Sequence, residues 1–244
     1  MRSYRQWLVF SKALLALLLL AGITPAPFAA VNVDRTRLVF AANDVVQSLT
    51  LTNDSVTPML LQVWTDAGET ASSPDSSRTP LVVLPPVFKM LPDELRTLRV
   101  MLSSRRSLPG DRESLFWLNI YQIPPEQNAT DSVTRKLVLP LRLRLKVFIR
   151  PHGLKAPTSN DERKLRFSIA SQGITITNPT PWYMSLAVAP IKGISIGNIM
   201  LAPYEQRDVA LSNMPAVGST VDYAVINDSG NWRTYTATIM DKEI

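Results

Sequence analysis

From Arg37 onward the chain alternates apolar and polar residues in short runs, separated by clusters of Asn, Asp, Pro, Gly and Ser. Period-two alternation sends successive side chains to opposite faces of a strand, and turn residues at this spacing point to all-β sandwiches. The pattern predicts strands over Arg37–Ala41, Val46–Thr52, Met59–Thr65, Leu81–Leu91 (broken at Pro85-Pro86), Leu95–Leu102, Leu115–Ile123 and Lys136–Ile149. Seven runs is the strand count of an immunoglobulin-like domain. After Arg150-Pro151-His152-Gly153 a polar stretch, Lys155 to Lys164, reads as a linker. Alternation then resumes over Leu165–Ala170, Ile174–Thr177, Tyr183–Ala189, Ile194–Leu201, Gln206–Leu211, Val221–Ile226 and Tyr235–Met240, a second and smaller sandwich of the same class. The expected organisation is a leader over 1–30, one immunoglobulin-like domain over 31–150 and another over 151–244.

The leader changes the reading of the charge. Residues 1–30 carry Arg2, Arg5 and Lys12 around the apolar stretch Leu8 to Leu20, with no acidic residue, which is the pattern of a secretory signal peptide. Its fully apolar part, Ala13 to Gly22, is well short of the ~20 residues a spanning helix needs, so no membrane insertion is expected. Cleavage is expected to leave a mature start near Ala30 or Val31. The whole chain has 26 basic and 20 acidic residues; removing the leader takes three of the basic ones and leaves a net charge of +3. A charge this small gives no support for nucleic-acid binding, which needs a concentrated basic stripe.

The chain has no cysteine although its expected destination is oxidising, so burial must supply the stability. His152 is its single histidine and has no motif around it. Zinc sites of the usual type and Ser-His-Asp or Cys-His catalysis therefore begin with almost no inventory, and no Gly-rich phosphate loop is present. The expectation is a protein without cofactor or metal that is not an enzyme.

The run Lys136–Ile149 is far longer than a typical strand of about five or six residues. Leu137, Leu139, Leu141, Leu143 and Leu145 share one face by the period-two rule, while Arg142, Arg144 and Lys146 take the other. Either all five leucines line the domain's own core, with the basic residues as solvated guards against edge pairing, or they form a ridge offered to a partner. Pro140 favours an edge strand, because proline cannot donate to a ladder. A long apolar edge strand is an aggregation hazard unless a partner uses it.

Together these segments resemble the periplasmic pilus-assembly chaperones of the chaperone-usher pathway, across almost the whole mature chain. Asp34-Arg35-Thr36-Arg37-Leu38-Val39-Phe40 resembles that family's first strand; Asp111 to Asn119, then Ile123-Pro124-Pro125, its sixth; and Lys146-Val147-Phe148-Ile149-Arg150-Pro151 the end of its seventh and the linker. Asn178-Pro179-Thr180-Pro181-Trp182-Tyr183, Met200-Leu201-Ala202-Pro203 and Ile226-Asn227-Asp228-Ser229-Gly230 are similar to its second half. The resemblance implies two immunoglobulin-like domains in a boomerang around a cleft, a periplasmic location, and pilin subunits and an outer-membrane usher as partners. It further implies that Arg37 and Lys146 bind the subunit's C-terminal carboxylate. Leu137, Leu139 and Leu141 would enter the groove of the incomplete subunit, with Leu143 and Leu145 nearer the chaperone's own core, and Glu113, Arg150 and Asp228 would form a charged network between the domains. The next subunit's N-terminal extension would displace the donated strand at the usher without ATP.

Departures from the family pattern matter equally. Many members carry a disulfide in the second domain, and this chain has none to make. The short segment between Pro125 and Leu137 resembles the short-loop branch, which serves rod-like, adhesin-tipped pili. Two alternatives stay open: an adhesion or receptor module, for which Asn53-Asp-Ser55, Asn128-Ala-Thr130 and Asn227-Asp-Ser229 fit the glycosylation pattern, and a chaperone-like protein whose subunits have been lost. Self-association of the free protein to hide its ridge is a further open possibility.

Overall fold

The structure is a computed structural model, and it describes residues 31–125, 140–191 and 197–241. The leader 1–30, Leu137, Leu139, the Asn128 triplet, the entire segment between Pro125 and Leu137 and the first three residues of the expected strand Ile194–Leu201 lie outside the described residues.

The first half packs two sheets face to face. One has the order β1 (Val31–Val33), β3 (Val46–Asn53), β7 (Leu95–Leu102), β5 (Leu81–Leu84). The other has the order β2 (Arg37–Phe40), β9 (Leu141–Ile149), β8 (Ser114–Ile123), β4 (Met59–Asp66), β6 (Val87–Met90). All neighbours are antiparallel except β2 and β9, which run parallel. Strand alternation turns Leu49 and Leu51, Leu61 and Val63, Leu98 and Val100, Leu118 and Ile120, and Leu145 and Val147 into one buried core.

Most expected strands hold to within one residue at each end. Among the described residues Lys136–Ile149 is strand from Leu141, Ile194–Leu201 from Asn198, and Tyr235–Met240 already from Trp232, and two further revisions concern the first half. The run Leu81–Leu91 is two strands in opposite sheets: β5 pairs with β7 and β6 with β4, and Pro85-Pro86 makes the crossing. Neither proline can donate to a ladder, so the chain changes sheet there. Val31–Val33 adds a strand that the alternation is too short to announce. Burial also revises one alternative: the Asn53 side chain is buried, donating to Thr57 O, Met90 O and Leu91 O and accepting from Ser55 N–H. Its amide is fully used in joining two turns, so this triplet builds the fold and is closed to glycosylation.

The linker ends in a single helical turn, α1 (Ser159–Glu162), whose N-cap Thr158 accepts from Asp161 N–H. The second half is one continuous seven-stranded sheet curved around its own core. Its order is β13 (Asn198–Leu201), β12 (Met184–Val188), β15 (Thr220–Ile226), β16 (Trp232–Met240), β10 (Arg166–Ala170), β11 (Gly173–Thr177), β14 (Gln206–Ala210). The expected pair of separate sheets is joined by a short parallel pairing, Phe167 with Ile239 and Ser168 with Met240. Phe167, Ile174, Ile176, Leu186, Leu201 and Val225 fill the interior. Buried Glu162 accepts from the Tyr235 hydroxyl and from Arg233 Nη1, and Tyr223 OH donates to Glu162 O, which ties α1 to this sheet.

Candidate functional site

Arg37 opens β2 and sits in direct register with Lys146 on the parallel strand β9, so two cations share one level of the sheet. Arg37 is 8% exposed; its Nη1 donates to Ile226 O at 3.0 Å, and its buried Nε has no hydrogen-bond partner among the described residues. Lys146 Nζ donates to Ser185 Oγ at 2.9 Å and lies 5.9 Å from the centre of the Trp117 ring. Among the described residues no carboxylate forms an ion pair with either cation. Burial lowers the Lys146 ammonium to about 8, and the neighbouring guanidinium adds to the effect. Burial likewise pulls Arg37 below its ordinary value, against the influence of Asp228 and Glu113. An ammonium has three donors and a guanidinium five, so the pair holds unused N–H groups at one point, the arrangement that receives a carboxylate.

Behind this pair the two halves are locked together. Arg150, which follows β9, donates from Nε to Glu113 Oε1 at 2.9 Å and from both Nη atoms to the two Asp228 oxygens at 2.8 and 2.7 Å. Glu113 binds the second half independently: its Oε2 accepts from Tyr183 N–H and its own N–H donates to Pro181 O. Glu113 and Arg150 are buried, and burial pushes the Glu113 carboxyl up to about 7 despite the pull of Arg150. Phe148 and Tyr183 rings pack across the joint at 6.0 Å. Gly230, at φ +82°, approaches so closely that a Cβ would meet Thr36 Oγ1 at 2.7 Å. The sequence-matched trio Glu113, Arg150 and Asp228 is thus brought together in space.

The long strand revises its sequence reading. Leu145 is buried and Leu143 half-buried on the core, while Leu141 is 51% exposed. Pro140 lies just before the strand. Among the described residues β9 is interior over Lys146–Ile149, where β2 and β8 flank it, and an edge only over Leu141–Leu145, where it pairs with β8 alone. A proline at the mouth of a strand marks where the ladder starts; it does not make the entire strand an edge.

Two family models match. Residues 30–155 match the N-terminal domain of the pili and flagellar-assembly chaperone PapD, and residues 160–237 match the C-terminal domain of the pili assembly chaperone PapD. The chain belongs to the pilus-assembly chaperone family. The chaperone is 31% identical over 237 residues to chaperone protein FimB/FhaD of Bordetella pertussis, covering 94% of this chain and 96% of that one. It is 32% identical over 203 residues to chaperone protein FimC of Escherichia coli K12, covering 83% and 81%. In structure it is similar to the CupB2 chaperone of Pseudomonas aeruginosa, with TM-score 0.70 and 31% identity over 85% of this chain and 100% of that one. It is also similar to a chain of the Salmonella enterica complex of SafA pilin with SafB chaperone, with TM-score 0.74 and 25% identity over 88% and 98%.

Residues that sequence reasoning missed surround the cations. Ser185 is itself buried, in a strand buried along both faces, so it carries no alternation signal. Arg142 and Arg144, solvated guards in one of the two sequence readings of this strand, are 22% and 21% exposed and converge on Asp66, which is 1% exposed. The available signal was polar residues inside apolar runs: Asp66 closing Met59–Asp66 and Asn119 in the middle of Ser114–Ile123. A broad open groove of about 740 Å³ on the second sheet of the chaperone, beside Arg163, Asp222 and Tyr235, shares no residue with the cation pair.

Proposed function

We propose that the protein is a periplasmic chaperone that captures pilus subunits emerging into the periplasm, completes their fold by lending a strand, and passes them to an outer-membrane usher. The observation that carries the site assignment is the Arg37–Lys146 pair, which has unused donors, no acidic partner among the described residues, and a place at the foot of an open strand edge. A subunit's terminal carboxylate takes both cations, and its last strand then runs along β9 past Leu141. Fixing the terminus fixes the register; a slip of one residue would turn every ridge leucine to the wrong face. Leu137, Leu139 and Leu141 form the donated ridge, and Glu113, Arg150 and Asp228 hold the two domains at a set orientation around the cleft. The protein is a binding protein and not an enzyme: capture needs no group transfer, and the lone His152 sits in the linker. Family membership, the curated fimbrial chaperones among its relatives and the similarity to a pilin–chaperone complex support this reading.

Periplasmic co-purification of tagged protein with the pilin-like subunits encoded beside it tests the assignment. Wild type should retain a stoichiometric subunit that Lys146→Ala and Arg37→Ala lose while staying folded. Equal retention by folded variants would remove the anchor, and no retention by folded wild type would favour the adhesion-module or orphan reading.

A further inference from the structure

The half of β9 that faces the incoming strand is open on one side. Among the described residues Leu141–Leu145 has β8 as its single neighbour, and a strand supported from one side loses order before the strands inside a sheet. Here the outward face of that half is tied down. Arg142 uses all three of its nitrogens: Nε and Nη2 donate to Asn119 Oδ1 at 2.9 and 2.7 Å, Nη1 to Thr70 O at 2.7 Å, and Nη2 also to Ser72 Oγ at 2.8 Å and Asp66 Oδ2 at 3.3 Å. Arg144 donates from Nη2 to Asp66 Oδ1 at 2.8 Å and from Nε to Asn119 Oδ1 at 3.1 Å. Asp66 is saturated in turn, with Oδ2 accepting from Asn119 Nδ2 and Ser72 Oγ, and Oδ1 from Gly68 N–H.

Both guanidinium groups also stack. Arg142 lies 4.8 Å from the Trp64 ring centre and Arg144 4.7 Å from that of Trp117, the ring on which the Lys146 ammonium rests from further away. The network therefore runs from the turn after β4, across β4 and β8, to the open half of β9, and ends against the anchor. Paired charges removed from water are weak devices for stability, since their desolvation offsets the attraction. They are strong devices for geometry, because two planar forks on one saturated carboxylate admit few arrangements.

We propose that Asp66, Arg142 and Arg144 are positioning residues for subunit capture, holding the open edge of Leu141–Leu145 extended and in register before any strand arrives and fixing Trp117 beside Lys146. The proposal rests on the capture function above. Its physical content is that the ordering entropy of the edge is met when the chaperone folds, so it does not oppose binding. Capture is fast because the template is ready.

Hydrogen exchange on the free protein tests this without any subunit. In Arg142→Gln and in Asp66→Asn, amides of 141–145 should exchange faster, on the order of tenfold for the loss of a charge-assisted hydrogen bond. The denaturation midpoint should fall, because each change leaves a buried charge short of its partner, and exchange in 146–149 should rise by no more than that global loss accounts for, well below the rise in 141–145. Association of the neighbouring denatured pilin subunit should slow in parallel, with dissociation little changed. Arg142→Lys, which keeps the charge and loses the fork, should behave as Arg142→Gln. Unchanged exchange in 141–145, acceleration spread equally over the whole strand, or full rescue by Arg142→Lys would each overturn the proposal. A wild-type protein that captures no subunit would sink the capture function instead, and the exchange result would still decide whether the edge is held.

Discussion

Lys146 is held in a place that does not suit a charge. It is partly buried, it faces Arg37, and its one hydrogen-bond acceptor among the described residues is the neutral Ser185 hydroxyl. Its folded-state value of about 8, against 10.5 for the free side chain, means that the unfolded chain binds more protons between those two values. Stability contributed by this group therefore rises with pH from about 8 to about 10.5, and below 8 the folded protein bears the strain of a desolvated ammonium. Binding has the opposite sign. A carboxylate favours the charged form, so capture takes up a proton above pH 8, and affinity should fall by up to about tenfold per pH unit there. Calorimetric titration of a peptide with a free C-terminus, set beside its amidated form, would read this directly; an affinity flat from pH 7 to 9.5 would mean that Lys146 keeps its proton throughout that range or does not meet the carboxylate, and loss of binding in Lys146→Met separates the two. Lys146→Met should likewise raise the denaturation midpoint at pH 7 while removing binding, and its advantage should shrink as pH rises through 8. A midpoint lowered by this change would place Lys146 among the residues that hold the fold.

On the scale of a strand, the proposed function divides the leucines of β9 between two tasks. Leu145 is 2% exposed and belongs to the core, so Leu145→Ala should cost ~2–5 kcal/mol of stability, measured by denaturant unfolding. Leu141 is half-exposed on the same face, and Leu141→Ala should leave the unfolding curve nearly unchanged while weakening subunit capture. Equal destabilisation by both changes would mean that the ridge ends below Leu141. The alternation in the sequence reveals this face, because period two is a local property that depends on nothing distant. The same holds for most strands: Leu95–Leu102 falls where the pattern puts it, and Met59–Asp66 and Gln206–Ala210 differ from expectation by one residue at an end. Local pattern cannot tell which neighbour a strand takes. Nothing in Leu81–Leu91 says that its halves join opposite sheets, and nothing in Leu141–Ile149 says that its last four residues gain a second partner. The clamp was hidden for the same reason. Arg142 and Arg144 read as solvated because Asp66 is 76 and 78 residues away, and only the fold brings the carboxylate under them. Arg37, Lys146 and the Glu113–Arg150–Asp228 trio were legible only through family resemblance, since as isolated residues they are ordinary strand-end charges.

For the whole molecule the joint between the halves is the feature through which the proposed capture site draws on both sandwiches. Both cations stand on the first half, yet each is held by the second, Arg37 through Ile226 O and Lys146 through Ser185 Oγ. Domain orientation and anchor geometry are thereby coupled, and the buried Glu113 sits at the coupling point. Its carboxyl faces Arg150, with Asp228 beyond it, and burial outweighs that pairing to bring it up to about 7 from 4.5. In the folded protein it therefore binds its proton more tightly than in the unfolded chain, so its contribution to stability is complete below 4.5 and is lost as pH rises to about 7. Glu113→Gln keeps the shape and removes the titration. The difference in unfolding free energy between variant and wild type should shift in favour of the variant as pH goes from 5 to 8, because only the wild type must bury a new charge over that span. Arg150 keeps its two-pronged contact with Asp228 in the variant, so the joint should stay closed and subunit capture should survive. A variant whose stability tracks wild type across this range would mean that Glu113 is ionised throughout, with Arg150 fully compensating its burial. A variant that folds with normal stability but fails to capture subunits would instead assign to the Glu113 charge itself the task of holding the two halves, and with them both anchors, in place.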